Sequence, residues 1–230
     1  MSALKKLQES IGFTFKNKEI LQQAMVHRSY LNEHPEFASG HNERLEFLGD
    51  AVLEIIVTEY LYLNYPNTPE GDLTNWRAAL VNSKMLYVVA EELKLDDCLY
   101  LSKGEAKDKN KKSRHYILAN AVEALIGAVY LDQGMSAAHT LVHRFIINKL
   151  PGILANKSYL DPKSRFQEQA QEKKGITPTY DIISESGPDH EKLFKVGLYL
   201  AEELIATGEG SSKQEAQVAA ASNGLDKLNW

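Results

Sequence analysis

One cysteine, Cys98, stands alone in 230 residues, which excludes an intrachain disulfide framework and fits a reducing compartment. No uninterrupted apolar run approaches the roughly 18 residues of a membrane span. The opening stretch MSALKKLQES lacks the continuous apolar core of a secretory signal. The expectation is a soluble, cytoplasmic protein with no membrane partner. The chain also lacks GxxxxGK[ST] and G-x-S-x-G, so neither a nucleotide cofactor nor a nucleophile-elbow hydrolase is expected. Positive charge is scarce too. The formal net charge is −5, and residues 161–230, with eight Lys/Arg against twelve Asp/Glu, hold −4 of it. Nucleic-acid binders ordinarily carry a basic footprint. Any such site here must be a local cluster of cations on an acidic molecule, with strong sensitivity to salt.

What is present reads as a globular protein, 43% apolar and 25% charged, long enough for one large domain or two ordinary ones. Up to about residue 150 the pattern is helical nearly throughout. Apolar residues recur at three and four in Leu45–Leu63, Leu73–Leu93, Ile117–Leu131 and Ala137–Leu150. Breaks fall at Asn64–Gly71, at the polar stretch Lys103–Ser113 and at Gly134. Residues 151–160, with Pro151, Gly152, Asn156 and Ser158, suit a linker. After it the texture changes. Asp161-Pro162 opens a helix that Gly175 stops. Strands are expected over Thr179–Glu185, Leu193–Leu200 and Glu203–Thr207, with a turn at Gly187-Pro188-Asp189. Ser211 then caps an alanine-rich helix to about Leu228.

The most informative stretch is His41-Asn-Glu-Arg-Leu-Glu-Phe-Leu-Gly-Asp50. On a helix, Glu43, Glu46 and Asp50 share one face, where like charges repel. A bound hard cation with oxygen ligands offsets that repulsion. The plainer account is the wet side of an amphipathic helix whose apolar stripe is Leu45, Leu48, Val52, Ile55 and Ile56. A second polar pair, Asn120 and Glu123, lies three apart in Leu-Ala-Asn-Ala-Val-Glu-Ala-Leu-Ile-Gly, residues 118–127.

The order of residues in the first stretch, with the second station after it, resembles the ribonuclease III family of double-strand-specific endonucleases. The segment α-β-β-β-α resembles a double-stranded RNA-binding domain. The resemblance covers nearly the whole chain. It implies an all-α endonuclease and dimerisation domain at 1–150, a linker at 151–160 and an α+β RNA-binding domain at 161–230. It further implies Mg²⁺-dependent hydrolysis of double-stranded RNA, or Mn²⁺ in its place, leaving 5′-phosphate and 3′-hydroxyl ends with short 3′ overhangs, as in rRNA and mRNA processing. The metal ligands carried over are Glu46, Asp50, Asn120 and Glu123, with Glu46, Asp50 and Glu123 catalytic. Glu43 and Glu70 match supporting acidic positions. Asn120 departs from the family's aspartate. Its amide oxygen still suits Mg²⁺ but attracts it less.

The resemblance implies a homodimer whose two sites face opposite strands of one duplex, with Phe47 at the subunit contact; spacing alone leaves Phe47 equally open as a core residue. For RNA it implies Lys163, Gln167 and Gln171 on one helix face toward 2′-hydroxyls, and the loop Gly187–His190, with His190, in a neighbouring minor groove. Ser212 and Lys213 match the phosphate-facing helix start. Lys213-Gln214 stands where relatives carry consecutive lysines, so binding is expected to be weaker with a shallower salt slope. The run Lys103, Lys107, Lys109, Lys111, Lys112 and Arg114 reads as a solvated loop beside the second station. Cys98 in its acidic context reads as structural, His27 as architectural, and His139 with His143 as a packed or solvated pair. Two rival classes are a catalytically silent dimeric RNA binder, if Asn120 abolishes metal binding, and a helical scaffold protein.

Overall fold

Two long helices dictate the first half of the molecule. In the computed structural model, which describes residues 2–108, 110–157, 159, 161–188 and 192–230, α4 (Glu43–Asn64) and α8 (Lys111–Gln133) lie side by side. Glycines permit the approach. A Cβ on Gly49 of α4 would fall 1.8 Å from the Glu123 carbonyl oxygen, and one on Gly127 of α8 would fall 2.3 Å from that of Leu45. The backbones therefore touch where the polar stations lie; α8 buries most of its apolar residues, whereas α4 buries one face and leaves Phe47, Ile55, Tyr62 and Leu63 exposed.

Shorter helices wrap this pair: α1 (Ala3–Ile11), α2 (Lys18–Ala24), α3 (Arg28–Glu33), α5 (Glu70–Val81), α6 (Ser83–Glu92), α7 (Lys103–Lys107), α9 (Met135–Phe145) and α10 (Leu150–Ala155). Their starts obey capping chemistry: Asn17, Asn82, Ser102 and Asn110 each accept backbone N–H groups from the following turn. Three sequence expectations need adjustment. The apolar run Leu73–Leu93 is two helices, because Asn82 adopts an extended backbone, caps α6 and donates its amide to the Ala78 and Ala79 carbonyls. Much of Lys103–Ser113 is not loop: Lys103–Lys107 is helical, and Lys111 starts α8, while Lys109 lies outside the described residues. Residues 151–155 of the expected linker belong to α10, which starts at Leu150, with Pro151 in its first turn and Ile153 in the core.

The chain divides into two compact units, 1–159 and 160–230. The second has its own core of Phe166, Ala170, Leu198, Leu200, Ile205, Ala220, Ala221 and Leu225. Helix α11 (Pro162–Lys174) is capped by Asp161 and stopped by Gly175 at φ 68°. An antiparallel sheet follows in the order β1 (Thr179–Ser186), β2 (Leu193–Leu200), β3 (Glu203–Gly210). β3 runs three residues beyond Thr207, because its end still pairs with β2 and lies under the small side chains of α12 (Lys213–Leu228). The cap of α12 is Ser212 rather than Ser211: Ser212 Oγ accepts the Glu215 N–H, and the Glu215 carboxylate accepts the N–H and hydroxyl of Ser211.

Candidate active site

At the crossing of α4 and α8 the polar residues flanking Gly49, one turn before it and directly after it, lie near those one and two turns before Gly127. Glu46 and Asp50 come from α4, Asn120 and Glu123 from α8. Burial pushes the Glu123 carboxyl up to about 7, and the charges of Asp50 and Glu46 add to the shift. Glu46 is raised as well, by burial first and then by Glu43 and Asp50, while a hydrogen bond with Asn120 works in the opposite direction. These carboxylates thus feel one another across the two helices. Asn120 does something an aspartate cannot, since its amide N–H₂ donates to the Glu46 carboxylate and adds no further like charge. Among the described residues no three Asp, Glu, His or Cys side chains already converge as a finished cation cage. The donor set nonetheless fits a hard divalent ion, being all oxygen and short of positive charge, with Glu46, Asn120 and Glu123 half-buried and Asp50 exposed.

Beside the cluster lies a cavity of about 570 Å³, lined among others by His27, Arg28, Glu43, Glu46, Glu105, Tyr116 and Asn120. Its far wall is set by an isolated bridge between Val26 and Tyr100, by the His27 N–H donating to the Tyr100 carbonyl, and by the Asn42 N–H donating to Val26. His27 caps α3 through Nδ1, which accepts the Ser29 N–H at 3.3 Å. Burial first, then the cations Arg28 and Arg114, lower its pKa against the pull of Glu105 and Glu43. His27 is therefore architectural and also lines the cavity. Glu43 lies 3.7 Å from Arg28 and 3.8 Å from His41 at the rim.

The second unit presents its expected polar groups unevenly. Gln167 and Gln171 are exposed on α11, with Ser164, Glu168 and Glu172 along the same shallow groove. Lys163 is half-buried, donating to Gln217 at 2.7 Å and lying 5.2 Å over the Tyr180 ring. Lys213 begins α12 with its ammonium 3.6 Å from Glu185. Gly187 has the left-handed backbone expected of a turn, and His190 lies outside the described residues.

Residues 17–150 match the model of the ribonuclease-III-like family, and residues 162–228 match the double-stranded RNA binding motif. Ribonuclease 3 of Carboxydothermus hydrogenoformans is 45% identical over 222 residues, 96% of this chain and 94% of that protein. Ribonuclease 3 of Campylobacter fetus subsp. fetus is 39% identical over 229 residues, the full length of both. The chain belongs to the ribonuclease III family. Among solved structures it resembles the nuclease domain of ribonuclease III from Campylobacter jejuni, with a TM-score of 0.56 and 39% identity, covering 64% of this chain and 99% of that one. That structure is described as showing flexibility in a region involved in dimer formation. This family member is an endoribonuclease acting on double-stranded RNA, a metal-dependent hydrolase of phosphodiester bonds. No described helix is long and apolar enough to cross a membrane.

Two residues expected from the family resemblance, Phe47 of the signature stretch and Glu70 beyond it, sit apart from the cluster. Phe47 is 81% exposed, which rules out a place in this chain's core, and Ile55 and Tyr62 continue its face along α4 at 54% and 72%. Glu70 begins α5, where it accepts the Thr74 hydroxyl and borders a cavity of about 210 Å³ with Thr58, Leu61 and Tyr62. Those α4 residues lie about three to four turns from Glu46, so within one chain Glu70 does not reach the cluster.

The sequence reading overlooked Arg28, Glu105 and Tyr116, which border the cavity. They come from three elements distant in sequence, and no spacing links them. The other residues outside the site behave as expected, Arg114 excepted. Cys98 is buried and its thiol is pushed up to about 11, by burial first and then by Asp97. His139 pairs with Glu59 at 3.3 Å, while the His143 ring packs on Tyr60. Arg114 departs from the solvated loop expected of its run: it lies in α8 and is bound to Asp96.

Proposed function

We propose that Glu46, Asp50, Asn120 and Glu123 hold Mg²⁺, or Mn²⁺ in its place, and that the chain hydrolyses double-stranded RNA there to 5′-phosphate and 3′-hydroxyl ends with short 3′ overhangs. The observation that carries this is the pair of coupled, upshifted carboxylates at the glycine-mediated helix crossing. A divalent cation in that position supplies charge neutralisation at the scissile phosphate and lowers the pKa of the attacking water. Glu46 and Asp50 project from one rigid helix and Glu123 from the other, so the ligands keep their places without a loop. Asn120 orients Glu46 through its amide and leaves its carbonyl oxygen for the ion. Glu43, tethered to Arg28 and His41, maintains negative potential at the cavity mouth.

The division of labour follows the chain: residues 1–155, including α10, for catalysis and dimerisation, 156–160 as connector, 161–230 for RNA. A homodimer is supported by the exposed apolar face Phe47, Ile55 and Tyr62, which water disfavours and a C₂ contact covers twice over. In such an isologous contact Phe47 has a cavity of about 210 Å³ available on the same helix, at Thr58, Leu61 and Tyr62. Double-stranded RNA is read by shape through Lys163, Gln167, Gln171, His190, Ser212 and Lys213, in rRNA and mRNA processing in the cytoplasm.

The test is cleavage of a long RNA duplex against a Mg²⁺ titration, comparing the chain with Asn120→Asp. Both are expected to cut, with Asn120→Asp reaching half-maximal rate at several-fold less metal. A chain that binds duplex and stays inert at every metal concentration, while Asn120→Asp cuts, would make it a silent binder instead. Glu46, Asp50 and Glu123 are all present, and no observation favours that second reading.

A further inference from the structure

Lys213 is already engaged before any RNA arrives. The Glu185 carboxylate, at the end of β1, lies 3.6 Å from the Lys213 ammonium and 3.8 Å from that of Lys192. The Lys213 ammonium also stands 5.8 Å from the centre of the Phe194 ring. This juxtaposition is set by the sheet. Register places Glu185 opposite Phe194 and Phe194 opposite Gly210, three residues before Lys213. The Glu185 carboxylate therefore turns one oxygen toward each ammonium, Oε1 to Lys213 and Oε2 to Lys192, at ion-pair distance, where a phosphate would otherwise stand.

The geometry points to Glu185 as an intramolecular competitor for the RNA phosphate that Lys213 binds. The inference rests on the reading of Lys213 as a phosphate contact. To bind duplex, Lys213 exchanges Glu185 for phosphate, and the released carboxylate is left facing the RNA backbone. Both side chains are partly open to solvent, 57% for Lys213 and 37% for Glu185, so the ion pair is weak and readily displaced. Glu185 thus tunes affinity downward without locking the surface shut. This gives a local reason for an RNA-binding unit whose net charge is −4: part of that acidity stands in for the ligand.

The experiment measures affinity of the full chain for an RNA duplex in chelator, so that no cutting intervenes, over a series of salt concentrations. It compares the parent, Glu185→Gln, Lys213→Ala and the double variant. Glu185→Gln keeps the side chain's shape at a surface position, and an unchanged thermal midpoint checks that the fold is intact. The expected result is about three- to fivefold tighter binding at low salt, a gain that shrinks as added salt screens the Glu185–Lys213 pair. Lys213→Ala weakens binding, and in its background Glu185→Gln gives no gain. Unchanged or weaker binding by Glu185→Gln overturns the proposal while leaving the role of Lys213 standing. A gain that persists without Lys213 overturns the coupling. If Lys213→Ala itself binds as the parent does, the phosphate reading of Lys213 fails, and the proposal with it.

Discussion

Asn120 and Glu123 set the charge balance of the α4–α8 cluster in opposite ways. An aspartate at position 120 places another negative charge beside Glu46, Asp50 and Glu123 and removes the amide that bonds Glu46. Asn120→Asp is therefore expected to lower metal-free stability by about 1 kcal/mol even as it strengthens cation binding. Thermal melts in chelator and in Mg²⁺ check the pair of signs, and a variant more stable in chelator would contradict the crowding of charge at this crossing. Glu123 gives the pH prediction. Its folded pKa, about 7, lies above the ordinary 4.5. Below 4.5 both folded and unfolded chains carry the proton and nothing is lost. Between 4.5 and 7 the unfolded chain releases its proton while the folded chain keeps it, so stability falls as pH rises and levels off above 7. Glu123→Gln should accordingly stabilise the metal-free protein at pH 8 by about 1–2 kcal/mol, after discounting the half-buried setting for screening, and by nothing at pH 4. Denaturant titrations at the two pH values decide it; equal effects would place the origin elsewhere.

At the scale of elements, the crossing of α4 and α8 is held by glycines. A methyl on Gly49 meets the Glu123 carbonyl oxygen at 1.8 Å, a contact between backbones that neither long helix relieves by rotating a side chain. Gly49→Ala is expected to cost about 3 kcal/mol or more and to spread the acidic stations, so activity should fall even where the variant stays folded. Calorimetry with cleavage assays on the soluble fraction tests this, and a variant with unaltered melting and rate would show that the helices are not in backbone contact. The start of α12 offers a milder case. Ser212→Ala removes the acceptor of the Glu215 N–H and should destabilise the second unit by about 1 kcal/mol, with Ser211→Ala costing less because Glu215 still reaches the Ser211 N–H. The reverse order would return the cap to Ser211, where the sequence pattern first puts it. Sequence placed α11 and β2 well because Asp161-Pro162, Gly175 and the apolar run Leu193–Leu200 are local signals. It merged α5 with α6 because Asn82 interrupts an apolar rhythm that continues in phase on both sides.

For the whole molecule, the exposed face of α4 is the open question that assembly answers. Phe47→Asp should convert a C₂ dimer to monomer at micromolar concentration while leaving the helical content unchanged, since Phe47 touches little in its own chain at 81% exposure. Sedimentation velocity measures it. A dimer that persists would move the contact away from Phe47 and direct attention to the other exposed apolar residues.

What the sequence determined by itself is chemistry and order: carboxylates at helical spacing, an amide and a carboxylate three apart at Asn120 and Glu123, an apolar rhythm that changes to alternation after residue 160, and caps legible one residue at a time. These depend on neighbours within about one turn, and a chain displays such neighbours directly. What only the tertiary structure decided is company. It placed Glu123 against Asp50 and Glu46, left Phe47 in solvent, kept Glu70 turns away from the cluster, brought Glu105 from α7 to the cavity, and set Glu185 beside Lys213. Each of these turns on which backbones approach closely, and that is fixed by packing of residues far apart in the chain, above all the Gly49–Gly127 crossing.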